Sequence, residues 1–160
     1  MIVLEYFERN DFPQLTEWIK DDELLMNWSG SMFSYPLTEK SLEWYIEDVN
    51  EINISDAFIY KAIDTTNGST VGHISLGGIS RKNRSGRISR VLVGGIDNRG
   101  RGCCKDMVTA VLKIGFEDLN LHRSVPGTLP GRYWHGAARG FFPTSVVYII
   151  IASRKNRFLG

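Results

Sequence analysis

The densest chemistry in the chain lies in one stretch, Val91-Leu92-Val93-Gly94-Gly95-Ile96-Asp97-Asn98-Arg99-Gly100-Arg101-Gly102-Cys103-Cys104-Lys105. Gly100 and Gly102 permit backbone angles closed to other residues and leave neighbouring amides uncovered. A helix is expected to begin at about Gly102. The free N–H groups and positive dipole end of its first turn favour an anion. Arg99, Arg101 and Lys105 add full positive charges. Phosphate or pyrophosphate is the natural occupant, while the bland alternative is a tight turn carrying solvated arginines.

Two familiar phosphate loops do not fit. Gly95 and Gly100 have P-loop spacing, but Arg101-Gly102 follows where Lys and a metal-binding hydroxyl are required. The dinucleotide fingerprint fails because Lys105 stands at its third glycine and the preceding strands read as antiparallel. Cys103 and Cys104 are adjacent and about 100° apart on a helix, which suits neither a disulfide nor a metal clip. They read as small packing residues. The alternative is a nucleophile whose thiol pKa is depressed at the helix N-terminus. His73, His122 and His135 read as structural or surface residues rather than bases. No metal site is expected.

The elements that must position this loop follow from apolar periodicity. Residues 2–7 predict a first strand. Asn10 or Asp11 caps a helix with Pro13 in its first turn and a stripe of Phe12, Leu15, Trp18 and Ile19. Asp21–Trp28 prolongs it or forms a second helix. Thr38 caps another, whose stripe of Leu42, Tyr45, Ile46 and Val49 reaches beyond residue 46. After Ser55 the period shortens to two. Strands at 57–63, 71–79 and 87–94 form an antiparallel meander, with Asn67-Gly68 as the first turn. The basic cluster between Arg81 and Arg87 has no interleaved aromatics and reads as a solvated turn, not a nucleic-acid patch. From Gly102 to Leu119 an amphipathic helix presents Cys104, Val108, Val111, Leu112, Gly115 and Leu119 to the sheet. The fold class expected is α+β (mixed α/β), in one domain.

The Arg99-Gly100-Arg101-Gly102-Cys103-Cys104 run resembles the acetyl-CoA loop of the GNAT acetyltransferase superfamily, Arg/Gln-x-x-Gly-x-Gly/Ala, with Cys104 in place of the last small residue. The order of strand, helices, meander, loop and long helix matches as well. The helix ending Phe116 to Arg123, Val71-Gly72-His73-Ile74 and the Trp18–Trp28 region look like the branch of ribosomal-protein N-terminal and spermidine acetyltransferases. The resemblance covers residues 1–123 and implies a GNAT-like antiparallel-rich sheet flanked by helices. It further implies direct transfer of an acetyl group from acetyl-CoA to a primary amine of a small molecule, polyamine or protein N-terminus, with no metal. Leu92 and Val93 would offer backbone groups to the pantetheine arm, and Arg99, Gly100, Arg101, Gly102, Cys103 and Cys104 would wrap the pyrophosphate. The reaction needs a base, an oxyanion donor and an acid for the thiolate. No catalytic residue is assigned to these roles. The expected partners are a small-molecule or peptide amine and, possible within this family likeness, a second copy as a homodimer; nucleic acid is not expected.

The formal net charge of +1 hides a seam. Residues 1–123 hold all 18 acids and 14 of the 19 Lys and Arg, for a charge of −4, while 124–160 hold five bases and no acid, for +5. Three of the five prolines also fall in the final stretch. Beyond Arg123 the family's ending, Asn-x-x-Ala and a Tyr four residues before Gly-Phe, is missing; Gly140-Phe141 is present, but Gly136 occupies the Tyr position. Pro126 and Pro130 interrupt what the resemblance makes a central fifth strand, whose divergence from the fourth opens the cleft. Two segments of one domain follow: 1–123, an acetyl-CoA-binding core, and 124–160, atypical and expected to be read in a shifted frame. The alternative is a divergent C-terminus in which 146–151 supplies a strand. If that apolar run stayed unpaired it would be an aggregation segment. Tyr133 and Tyr148 are not assigned as acids. A catalytically impaired CoA-binding remnant, or a binding module using the basic tail, stands as the competing function. No signal peptide is readable, and the longest apolar run, 146–152, is far short of the ~20 residues of a membrane helix. A cytoplasmic location is the expectation.

Overall fold

Each strand of the meander alternates its side chains between two faces, and both faces are buried, so the sheet needs a helical layer on each side. The computed structural model, which describes residues 1–121, 123–125 and 149–153, has this arrangement. Strand β1 (Ile2–Tyr6) leads through a 3₁₀ turn at Arg9–Asp11 into α1 (Phe12–Trp18), α2 (Asp22–Ser29) and α3 (Glu39–Tyr45). Strands β2 (Phe58–Asp64), β3 (Ser69–Ser80) and β4 (Ser85–Val93) follow, then α4 (Cys103–Glu117), β5 (Arg123–Val125) and β6 (Ile149–Ser153). The sheet order is β1-β2-β3-β4-β6-β5, antiparallel throughout. The expected α+β class and meander are present.

Helix starts follow the predicted chemistry. The Asp21 carboxylate accepts the Leu24 N–H at 2.7 Å and the Thr38 hydroxyl accepts the Ser41 N–H at 3.2 Å, so α2 is a separate capped helix. At α1 the Asp11 side chain does not cap; it accepts the Glu8 N–H in the preceding turn instead. α3 stops at Tyr45, short of Val49, because the chain turns through left-handed Asp48 (φ 56°) and Asn50 (φ 68°). Asn50 then anchors the loop to β2, its side-chain oxygen accepting the Ile59 N–H at 2.8 Å.

The sheet divides the core in two. Phe58, Ile74, Leu76 and Ile88 pack with Met107, Val108 and Val111 of α4. Ile59, of opposite parity to Phe58, and Leu92, brought to the other face by a register irregularity after Ser89, pack with Phe12, Leu15, Leu25, Trp28, Leu42 and Tyr45 of α1–α3. The innermost line of α4 is Cys103-Met107-Val111, whereas Cys104, Leu112 and Leu119 lie only partly buried at its margin. The helix is thus rotated slightly from its predicted face.

At the far edge of β4 the arrangement departs from the expected one. Strand β6 pairs antiparallel with β4 over Gly86–Ile88, and β5 lies beyond β6. The three-residue β5 ends at Val125, directly before Pro126, where the missing proline N–H would break a ladder. The expectation of a strand near 146–151 is met in part, by Ile149–Ser153. Among the described residues no strand pairs with the remainder of β4, 89–93, on this side. His122, Tyr133, His135, Gly136, Gly140, Phe141 and 146–148 lie outside the described residues.

Candidate active site

The loop between β4 and α4 is held from both ends. Gly94 donates its N–H to Val71 at 2.9 Å and lies against the Trp18 ring, which a methyl group at this position would overlap. The Asn98 amide donates to the Gly94 carbonyl at 2.8 Å. Arg101 reaches the Asn98 side-chain oxygen and the Asp64 carboxylate, each at 3.4 Å, fastening the loop to the β2–β3 turn. Asp64 also accepts the Thr66 N–H and hydroxyl, and these bonds hold its carboxyl below the usual range.

Past this tether the chain opens. Gly100 (φ 76°) and Gly102 (φ 79°) are left-handed, and a Cβ at either would meet nothing within 4 Å. The cradle is open to a bulky anion. Asp106 makes the first helical bond, N–H to the Gly102 carbonyl at 3.1 Å, so the amides of Cys103, Cys104 and Lys105 lie outside the helix ladder. Arg99 and Lys105 are exposed and have no ion-pair partner among the described residues. The residues read from the sequence are therefore together, although Arg101 is partly engaged by Asp64. The Cys104 thiol is not activated as the alternative reading required. Cys103 is buried, and burial pushes the Cys104 thiol up to about 11.

Strand β4 enters the loop through a bulge. Two residues, Arg90 and Val91, stand opposite Ile74 alone, and Arg90 is left-handed at φ 50°. Beyond the bulge, Gly94 bonds back to β3, so by ladder alternation Leu92 also faces β3 while Val93 turns its backbone groups to the opposite side, where no described strand pairs with it. Leu92 contributes a buried side chain to the α1–α3 core.

Sequence reasoning missed the second half of the site. A cavity of about 440 Å³ opens beside the bulge, lined among others by Trp28, Trp44, Tyr45, Glu47, Asp48 and Arg90. The Arg90 guanidinium lies over the Tyr45 ring, 5.5 Å from its centroid. Under it, His73 is 1% exposed among Phe7, Trp28 and Tyr45. Its Nδ1 lies 2.9 Å from the Arg90 carbonyl, which can only accept, so Nδ1 carries the proton. Burial holds the imidazole down to about 4, leaving it neutral, and its Nε2 accepts from the Tyr45 hydroxyl at 3.4 Å. Burial likewise raises the Tyr45 hydroxyl to about 12.

An open glycine turn at a helix N-terminus, a bulged strand whose end has no described strand beside it on one side, and an adjoining cavity thus lie together. A family model for the acetyltransferase (GNAT) domain matches residues 2–131. The chain belongs to the GNAT acetyltransferase family. Membership carries the reaction class, acetyl-CoA-dependent N-acetyl transfer. Solved GNAT structures share the fold. Spermidine N-acetyltransferase from Vibrio cholerae in complex with CoA and spermine superposes with a TM-score of 0.65 at 16% identity, over 95% of each chain. A dodecameric structure of that enzyme gives 0.60 at 18% identity, over 99% of this chain and 98% of the other. A complex with manganese ions gives 0.60 at 16% identity, over 95% and 92%. Among the described residues of this GNAT protein no cluster of three or more His, Cys, Asp or Glu could hold a metal, and no helix is long and apolar enough to cross a membrane.

Proposed function

We propose that this protein moves the acetyl group of acetyl-CoA to a primary amine bound in the Trp28–Tyr45–Arg90 cavity. The observation that carries the reading is the juxtaposition, on one strand, of that cavity at the Arg90 bulge and the cradle that begins at the strand's end. Within this reading Arg99, Lys105 and the first amides of α4 neutralise the pyrophosphate, and the glycines at 100 and 102 admit it. Cys103 and Cys104 serve by being small. Val93, rather than Leu92, presents its backbone to the pantetheine arm. The core of the domain is 1–123.

When bound, acetyl-CoA supplies a thioester carbonyl open to attack by an amine. The chain's task is to hold that amine neutral and close. Glu47 and Asp48 draw a cation to the cavity and give its proton a destination, while the exposed Trp44 ring suits an alkylammonium. These features favour a cationic acceptor, a polyamine or a peptide N-terminus; the spermine complex of the Vibrio cholerae enzyme supports the former.

Calorimetric titration with acetyl-CoA, followed by thiol-release assays on spermidine, spermine and N-terminal peptides, tests the reading. Micromolar binding with turnover on at least one amine is expected. Binding without turnover on any amine would indicate the impaired remnant. No binding, with salt-sensitive retention of RNA, would indicate the basic-tail module. Sedimentation of the same sample tests self-association, for which the dodecameric neighbour is the support.

A further inference from the structure

The bulge in β4 is not held by its ladder. Its carbonyl at Arg90 turns into the aromatic cluster of α1–α3, where it accepts two side-chain donors, the Trp28 indole N–H at 3.1 Å and the His73 Nδ1–H at 2.9 Å. A left-handed non-glycine residue inside a strand is costly and persists only where its surroundings over-determine it. Here two buried donors converge on one oxygen. The peptide unit is planar and trans, so fixing the Arg90 carbonyl toward the cluster fixes the Val91 N–H in the opposite direction, away from it. The same plane sets the start of the 91–93 segment, the part of β4 with no strand beside it among the described residues. His73 is also linked to the cavity wall, since its other ring nitrogen accepts from Tyr45.

We propose that His73 is a positioning residue for acetyl-CoA: through its Nδ1–H, and together with the Trp28 indole N–H, it locks the Arg90 peptide so that the open edge of β4 is presented to the thioester arm. This rests on the acetyl-CoA reading above. His73 touches neither substrate; it acts through the Arg90 carbonyl. The role requires a neutral ring with the proton on Nδ1, the tautomer less populated by a free histidine, and a buried site that keeps it so.

The test uses the two amides that mimic the two ring nitrogens. An Asn side chain places its NH₂ near the position of Nδ1, and a Gln side chain places it near Nε2. His73→Asn is expected to bind acetyl-CoA within threefold of the parent, and His73→Gln at least tenfold more weakly. The loss should appear in KM for acetyl-CoA, with kcat at saturation changed less than threefold. The Trp28 indole N–H shares the carbonyl and reports on it without any ligand: its solvent exchange should quicken at least tenfold in His73→Gln and stay near the parent rate in His73→Asn. Equal acetyl-CoA affinity in the two variants, or a loss confined to KM for the amine, would overturn the proposal. If neither variant folds, Trp28→Phe, which keeps an aromatic ring and removes the other donor, carries the same expectation of weaker acetyl-CoA binding, read by calorimetry with no amine present, and unchanged binding overturns it. Should the parent bind no acetyl-CoA, the functional reading fails, while unchanged indole exchange in His73→Gln separately refutes the lock.

Discussion

Arg99 and Arg101 stand two residues apart in the same loop, yet the fold gives them different work. Arg101 is bound to Asn98 and Asp64, whereas Arg99 is exposed and has no ion-pair partner among the described residues. Arg99→Ala should therefore raise KM for acetyl-CoA about fivefold to tenfold and flatten its salt dependence, because a full charge that the proposed site sets against the pyrophosphate would be lost. Arg101→Ala should act less on KM and more on loop order; steady-state kinetics at two ionic strengths separates the pair. His73 has a consequence of its own for acid stability. Its folded value of about 4 lies below the ordinary 6.5, so as pH falls from 6.5 to 4 the unfolded chain gains a proton that the folded chain refuses. Stability is full above 6.5 and declines through that window, by roughly 3 kcal/mol at its lower end. Urea unfolding at pH 7 and pH 5 should show the decline in the parent and a shallower one in His73→Asn. At this scale the cradle was legible, because glycines and arginines adjacent in sequence are adjacent in space. The Trp28–Tyr45–Arg90 cavity was not, since its members come from α2, α3 and β4, and each reads singly as packing or surface. Nothing in Ser89-Arg90-Val91 marks a left-handed residue.

At the scale of elements, periodicity placed every strand of the meander and three of the four helices, and left open whether α2 stands apart from α1, which the Asp21 cap decides. The errors fall where a few side-chain bonds decide: α3 ends at Tyr45 because of left-handed turns at Asp48 and Asn50, and α4 is rotated because Cys103, not Cys104, meets the sheet. The seam between β4 and its loop is the most intolerant position. Gly94 carries the Trp18 ring against its α-carbon, and Gly94→Ala must displace α1 or the strand end. We expect about 1–3 kcal/mol of destabilisation, as for overpacked cores, together with weaker acetyl-CoA binding, because the same residue accepts from Asn98. Denaturant unfolding of Gly94→Ala alone and with Trp18→Leu measures it; the second change should restore part of the loss, and no restoration would place the strain elsewhere.

For the whole molecule, the family match extends a few residues past Arg123, to 131, close to the seam between the acidic body and the acid-free tail. The 1–123 segment carries the loop, the cavity and both cores. The tail supplies β6 and, from Ser124, the rest of β5, which ends next to a proline. Its composition was legible, its pairing was not, because a run of Ile and Val fits any open edge. Translating the coding DNA downstream of Arg123 in the two other frames should reveal the Asn-x-x-Ala and Tyr-x-x-x-Gly-Phe pattern in one of them; its absence from both removes the shifted-frame reading and leaves a divergent terminus.

The pairing of β6 with Gly86–Ile88 also sets an order of assembly. Strands β2, β3 and β4 are joined by short turns, so their contacts close small loops, whereas Ile149 reaches Ile88 only by closing a loop of about sixty residues. The meander can form while this edge is still bare. In pulse-labelled hydrogen exchange during refolding, the amides shared by β2 and β3 should gain protection before those that β4 shares with β6; simultaneous protection would mean that the last strand helps nucleate the sheet it completes.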